Sequence, residues 1–187
     1  MSRWKLKAFI IVANALWTST TLAANGVMPT DGARRLVRTM KLGDVAILAA
    51  QVGLAHDSSS GAQNVVLLNC VRRIKAEALV DDLAPELDAA LTPKEIEDAE
   101  EFFSQAAGQK IIDLGLRDLH RRIEKKSESP VRQTRDEARE IEAFAKTSAG
   151  EKLLVKEVLS RSTFSEKARA HMREIVNQCV QGETRTD

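Results

Sequence analysis

The sequence predicts an all-α protein: an irregular bundle of seven or eight helices in which one helix–break–helix unit is used twice. Three observations point there. A shift of 42 positions superposes Thr92 on Thr134, Glu95 on Glu137, Phe102 on Phe144, Gly108 on Gly150 and Lys110 on Lys152. Repetition of this kind marks a helical supersecondary unit whose copies bury their apolar faces on each other. Apolar residues recur at helical spacing, and no turn dipeptide is flanked by alternating apolar residues. Finally, there are only 9 Gly and 4 Pro in 187 residues, which leaves few breaks.

The first two dozen residues stand apart from the fold. Arg3, Lys5 and Lys7 form a basic start. Ala8 to Trp17 is a short apolar run, and Thr18 to Ala24 is rich in small residues. This is the plan of a secretory signal peptide, residues 1–24, with cleavage after Ala23 or Ala24. An uncleaved anchor is the alternative. The run is shorter than the roughly 20 residues a membrane span needs, and Asn14 interrupts it. Processing removes three basic residues and no acidic ones, taking the formal charge from +1 to −2. A near-neutral chain with interspersed charges lacks the basic face that nucleic-acid binding requires.

A single helical domain is expected over residues 25–181, with 182–187 a polar tail. Asn25 to Thr30 reads as a flexible lead-in. Thr30 or Asp31 caps a helix through Met40 carrying Ala33, Leu36 and Val37. Leu42 to Leu54 forms a second helix, weakened by Gly43 and Gly53. His56 to Gly61 reads as a loop. Ala62 to Val80 reads as one helix, with Val66, Cys70, Ile74 and Ala78, or Leu67, Val71 and Ile74, on its apolar side. Asp81 to Ala90 is short and partly helical.

Thr92 opens the first unit. Thr-Pro-Lys-Glu is a capping box with proline at the first helical position, so the Thr92 hydroxyl can accept from the Glu95 amide while the Glu95 carboxylate reaches back. Ile96, Ala99, Phe102, Phe103 and Ala106 follow on one stripe. Gly108 interrupts, and a new apolar pattern runs from Ile111 to Ile123. Ser129 and Pro130 can start the next helix, which carries Ala138, Ile141, Phe144 and Ala145. After a break at Thr147–Gly150, Leu153 to Leu159 resume. The last helix runs from Phe164 or Ser165 to Val180, with Phe164, Ala168, Met172, Ile175 and Cys179 on one face.

A packing device explains the motif. Phe anchors a helix end, the break lets Thr147 cap the next helix, and Gly permits close approach. Lys110 and Lys152 would point outward over apolar surface. The alternative, an anion held by the Gly and Lys at a helix start, falls far short of a phosphate loop.

At Phe102–Lys110 and Phe144–Lys152 the sequence resembles an exported bacterial helical family, the domain of unknown function 2059. That family's pattern is Phe-Tyr, x, Ser/Thr-Pro, x, Gly, x, Lys after a Thr/Ser-x-x-Glu helix start. Phe103 and Ala145 stand where Tyr is expected, and Gln105-Ala106 and Thr147-Ser148 replace Ser/Thr-Pro. ARRLVRTMKLGD also resembles the family's first helix, so the likeness extends from Ala33 to about Cys179. It implies a periplasmic helical bundle and brings no activity.

Chemistry-bearing residues are sparse. Cys70 and Cys179 are the only cysteines. Each lies on an apolar face, and in an oxidising compartment the pair is expected to form one disulfide. Two separate buried thiols are the alternative. His56, His120 and His171 show no metal-ligand spacing. The acidic runs Glu97-Asp98, Glu100-Glu101 and Asp136-Glu137 with Glu140 and Glu142 read as wet helix faces. No residue is assigned a catalytic, cofactor or metal role. The functional expectation is an exported, non-catalytic protein that binds an unknown periplasmic protein, with no membrane span after processing. The alternative is a carrier of lipid or another small hydrophobe, since irregular bundles can enclose an apolar cavity. An enzyme would need a polar cleft converging from several helices.

Overall fold

The computed structural model describes residues 28–56, 61–124, 133–156 and 162–183. Among these residues all regular structure is helical and no strand occurs. The expected all-α bundle is what the chain forms. The signal segment, the loop at 57–60 and the turn around Ser129 and Pro130 lie outside the described residues.

The elements are α1 (Asp31–Thr39), α2 (Leu42–His56), α3 (Gly61–Arg73), a 3₁₀ turn (Ala76–Leu79), α4 (Val80–Ala90), α5 (Pro93–Ser104), α6 (Ala106–Glu124), α7 (Arg135–Ala145), the single turn α8 (Ser148–Gly150) running into a π turn (Glu151–Val155), and α9 (Ser162–Glu183). α1 lies at the centre of the first half. Its apolar stripe of Ala33, Leu36 and Val37 is at most 1% accessible and packs against α4 and α5. Its polar side is a row of arginines. Arg34 pairs with Asp81, Arg35 with Glu100 and Arg38 with Glu77, at 2.7, 2.9 and 2.5 Å. These carboxylates hold all three guanidinium pKa values above the usual range.

Thr30 is the α1 cap: its hydroxyl accepts from the Ala33 amide. The same residue donates through its amide and hydroxyl to the Asp88 carboxylate, at 2.7 and 2.6 Å. The lead-in is therefore pinned to α4 at Thr30. Between α1 and α2 the chain turns through Lys41, at φ 52°, a left-handed conformation that costs a side-chain-bearing residue about 1 kcal/mol.

Several boundaries differ from expectation. The single helix expected over Ala62–Val80 is broken at Ile74 and Lys75, and the chain passes through the 3₁₀ turn into α4. Ile74 is buried, but Ala78, expected on the same face, is exposed. Tertiary packing causes the break. α2 presses on the 3₁₀ turn, and a Cβ on Gly43 would stand 2.5 Å from the Ala76 carbonyl oxygen. His56 ends α2 rather than opening a loop. α7 begins at Arg135, five residues after Pro130, because Thr134 caps it. α9 continues through Glu183, beyond the expected start of the tail at residue 182. On α9, Met172 is buried, Ile175 and Cys179 are half-buried, and Val176 joins the core at 8% accessible. The side chains of Phe164 and Ala168, and residues Val158 and Leu159, lie outside the described set.

Candidate functional site

The two units meet head on, and their junction is the most chemically organised part of the molecule. Each starts with the same local device. In the first, the Thr92 hydroxyl accepts from the Glu95 amide and the Glu95 carboxylate accepts from the Thr92 amide at 2.7 Å. In the second, Thr134 and Glu137 repeat both bonds, with the return bond at 2.8 Å. Each box satisfies two amides that a helix start leaves without partners.

Each first helix ends within two residues of its phenylalanine and then turns sharply. In the second unit the Thr147 hydroxyl donates to the Phe144 carbonyl at 2.7 Å and accepts from the Gly150 amide at 3.0 Å, so one side chain ends α7 and starts α8. In the first unit Gln105 stands at that position. There the Gln105 amide donates to the Phe102 carbonyl at 3.1 Å, and the Gln109 side chain donates to the Phe103 carbonyl at 2.6 Å. The glycines sit where the second helix touches the end of the first. A Cβ on Gly108 would lie 2.3 Å from the Phe102 oxygen, and one on Gly150 1.8 Å from the Phe144 oxygen.

The units then exchange contacts. α5 packs on α8, and α7 packs on α6. Phe102 and Phe144 stack on each other, centroids 3.9 Å apart and planes within 6°. Phe103 meets both rings edge-on, at 5.1 and 5.6 Å. Lys152 of the second unit donates to Glu95 of the first at 2.7 Å. Lys110 of the first lies 3.9 Å from Glu137 of the second. Equivalent residues thus pair with each other or swap partners, the pattern of an approximate two-fold axis passing between the phenylalanines. The outward-pointing lysines expected from the helical pattern are instead half-buried and paired across the junction.

The two halves of the exchange are unequal. The Glu95 side chain retains 9% of its exposure and the Glu137 side chain 21%. Ser148, also from the second unit, donates a short hydrogen bond to Glu95. Its counterpart in the first unit is Ala106, which has no hydroxyl. Lys152, then Ser148, then the Thr92 amide hold the Glu95 carboxyl far below the ordinary carboxylate range, at about 2, against a smaller opposing effect of burial. The Ser148–Lys152–Glu95 cluster superficially resembles a nucleophile beside a base. Its hydrogen bonds run the wrong way for that role. Ser148 and Lys152 both donate to the Glu95 carboxylate, so the hydroxyl is directed at the acid and not at the lysine.

Nothing in the local pattern revealed this cluster, because Glu95 and Lys152 are 57 residues apart. The 42-residue repeat did carry the signal. If two like units pack about a two-fold axis, a basic residue at the end of one motif can reach the acidic start of the other.

Cys70 of α3 and Cys179 of α9 form a disulfide, with Cα atoms 5.8 Å apart, within the span such a bond requires. Cys70 is 1% accessible. The other acidic residues singled out from the sequence serve the surface: Glu97 and Asp98 pair with Lys94, Glu100 with Arg35, Asp136 with Arg139, and Glu142 with Lys146. His120 is exposed on α6, and His171 Nδ1 lies 3.4 Å from an Asp82 oxygen. The described residues contain no group of three or more His, Cys, Asp or Glu placed to hold a metal ion. They also contain no helix long and apolar enough to cross a membrane.

Two depressions open on the surface. One of about 510 Å³ is lined by Ala170, Arg173, Glu174, Asn177, Gln178 and Gln181, all of α9. The other, of about 350 Å³, is lined by Lys110, Asp113, Leu114, Leu116, Arg117 and His120, all of α6. Each follows one face of one helix, so neither brings together polar groups from several elements as a catalytic cleft does.

No known family's sequence pattern matches the chain, and no curated protein or solved structure matches it significantly.

Proposed function

We propose that the chain is an exported, non-catalytic helical protein that works in the periplasm by binding another protein. One observation carries the reading: the most site-like cluster, Glu95 with Ser148 and Lys152, is wholly engaged in joining the two repeat units. These three side chains are committed to architecture, which turns attention to the helical surfaces as the working parts. The basic, apolar and small-residue order of residues 1–24 supports export. A disulfide between α3 and α9 suits an oxidising compartment. The likeness of the two motif copies to the domain of unknown function 2059 adds to the same reading.

The test has two parts. Mass spectrometry of protein recovered from periplasm should show the loss of the first 23 or 24 residues. A membrane-bound product retaining Trp4 and Trp17 would refute export. Affinity capture with the processed protein should then return a reproducible periplasmic partner. Repeated failure to capture one, or native mass spectra showing lipid bound to the purified protein, would replace the binding reading with that of a carrier.

A further inference from the structure

We propose that the outer side of α7 is a docking face for a single amphipathic helix of a partner protein, with small and aliphatic residues along one stripe and an arginine on its edge that pairs with Glu142. This rests on the binding reading above and names the surface that performs it.

The repeat supplies its own template. In the first unit the outer side of α5 is covered by α1. Gly32 lies against Ile96, so close that an added Cβ would be 3.3 Å from the Ile96 side chain. Arg35 Nε reaches Glu100 Oε1 at 2.9 Å. Ile96, Ala99 and Phe103 beneath are 5%, 0% and 1% accessible. Carried forward by 42 positions, these residues become Ala138, Ile141 and Ala145, and Glu100 becomes Glu142. Ala138 is exposed, and Ile141 and Ala145 are half-buried. The principal contacts of α7 are with α6, α8 and the π turn; among the described elements no counterpart of α1 covers it.

Size and charge both specify the occupant. Two of the three stripe positions shrink from Ile or Phe to Ala, which lets a second helix approach closely. The flanking carboxylate is retained at the position that binds arginine in the first unit. Among the described residues Glu142 pairs with Lys146, four positions on, at 2.9 Å, and its side chain is 66% exposed. An exposed pair of this kind contributes little and exchanges readily for a bidentate arginine. A second copy of this chain does not meet the requirement. Its α1 is already committed to its own α4 and α5 through Arg34 and Arg35.

The probe is an acetylated peptide with the sequence of residues 29–41, which carries the α1 stripe and its arginines. It is titrated into the full processed chain with backbone amides followed by NMR. Shifts should run along α7 at Ala138, Ile141 and Ala145. Ile141→Asp should weaken binding by about tenfold or more, the usual loss at a central apolar contact. Ile141 is half-buried against the core, so the thermal midpoint of that variant is measured alongside, and Glu142→Arg, at a side chain that is 66% exposed, keeps the test independent of folding. Glu142→Arg should also weaken binding, and a peptide carrying Glu in place of Arg35 should restore it. No shift at millimolar peptide, shifts confined to α5, or binding indifferent to both substitutions would overturn the proposal. So would self-association of the chain through α7 that Ile141→Asp abolishes. Photocrosslinking in cells separates this claim from the wider one. A partner captured only from positions off α7 removes the site and leaves the binding reading; capture from no position removes both.

Discussion

Lys152 Nζ stands 2.7 Å from Glu95 Oε2, so the final residue of one repeat motif closes on the helix start of the other. That contact gives the fold an acid limit. Glu95 has a folded-state pKa of about 2, below the ordinary 4.5. A group depressed in this way contributes stability above its unfolded pKa and loses it as pH falls towards the folded value. Stability should therefore decline between about pH 5 and pH 2. Glu95 lies near the surface, and solvent screening reduces the contribution to on the order of 2 kcal/mol. Glu95→Gln should cost about 1–3 kcal/mol at pH 7, the range for hydrogen bonds to charged groups, and flatten the acid limb. Glu137→Gln should cost less, because Lys110 is 3.9 Å away and the site is wetter. Urea denaturation of both variants at pH 7 and pH 3 measures the difference. Equal losses would show that the junction is not polarised towards Glu95.

The stacked phenylalanines should be a single energetic unit. Phe102 and Phe144 are 7% and 6% accessible, so either substitution by Ala should cost about 3–5 kcal/mol. Because the rings contact each other directly, the double variant should fall short of additivity by roughly 0.5–1.5 kcal/mol. A double-mutant cycle by chemical denaturation reads this directly. A loss below about 1 kcal/mol for Phe144→Ala would place that ring outside the core.

These residues were legible in the sequence because their signals are local or repeated. Thr92 and Glu95 declare a helix start within four residues, and the shift by 42 marks the phenylalanines and glycines. The break at Ile74 and Lys75 carries no Gly or Pro. It exists because α2 brings Gly43 against Ala76, a contact between residues 33 apart. Ser129-Pro130 has the residue types of a helix start, but the cap forms at Thr134, where Glu137 returns the bond. The lysines were misplaced because a helical wheel describes one helix alone. Lys152 lies outward on its own helix and inward once the first unit packs beside it.

The disulfide ties α9 to α3, and α9 otherwise rests mainly on α3 and α4. The loop closed spans 109 residues, for which chain entropy gives an upper figure of about 4.7 kcal/mol, and native disulfides commonly contribute 2–4. Reductant should therefore lower the thermal midpoint by several degrees, and Cys179→Ser should do the same while leaving one titratable thiol. Thiol titration of protein purified without reductant should find none. Two free thiols there would show that the bond does not form in the cell.

The glycines offer the sharpest contrast, since the same substitution should act in opposite directions. Gly108 and Gly150 each face a backbone oxygen of the preceding helix end, where an added Cβ would lie at 2.3 and 1.8 Å. Backbone cannot swing aside as a flexible side chain can. The carbonyl of Phe144 is further fixed by the Thr147 amide at 2.9 Å and the Thr147 hydroxyl at 2.7 Å. Gly150→Ala must therefore push α8 off α7, disturbing the Phe stack and the Ser148 and Lys152 contacts to Glu95 together. A loss of about 3 kcal/mol or more is expected, in the range of strained and overpacked core substitutions. Gly108→Ala should lose slightly less. Gly53 lies within α2, is exposed, and has nothing within 4 Å of its would-be Cβ. There alanine removes only the conformational freedom of the unfolded chain, and stability should rise by about 0.5–1 kcal/mol. Parallel denaturation of Gly53→Ala, Gly108→Ala and Gly150→Ala tests the sign at each site. A neutral Gly150→Ala would mean that the two helices of the unit do not approach as closely as the turn at Thr147 requires.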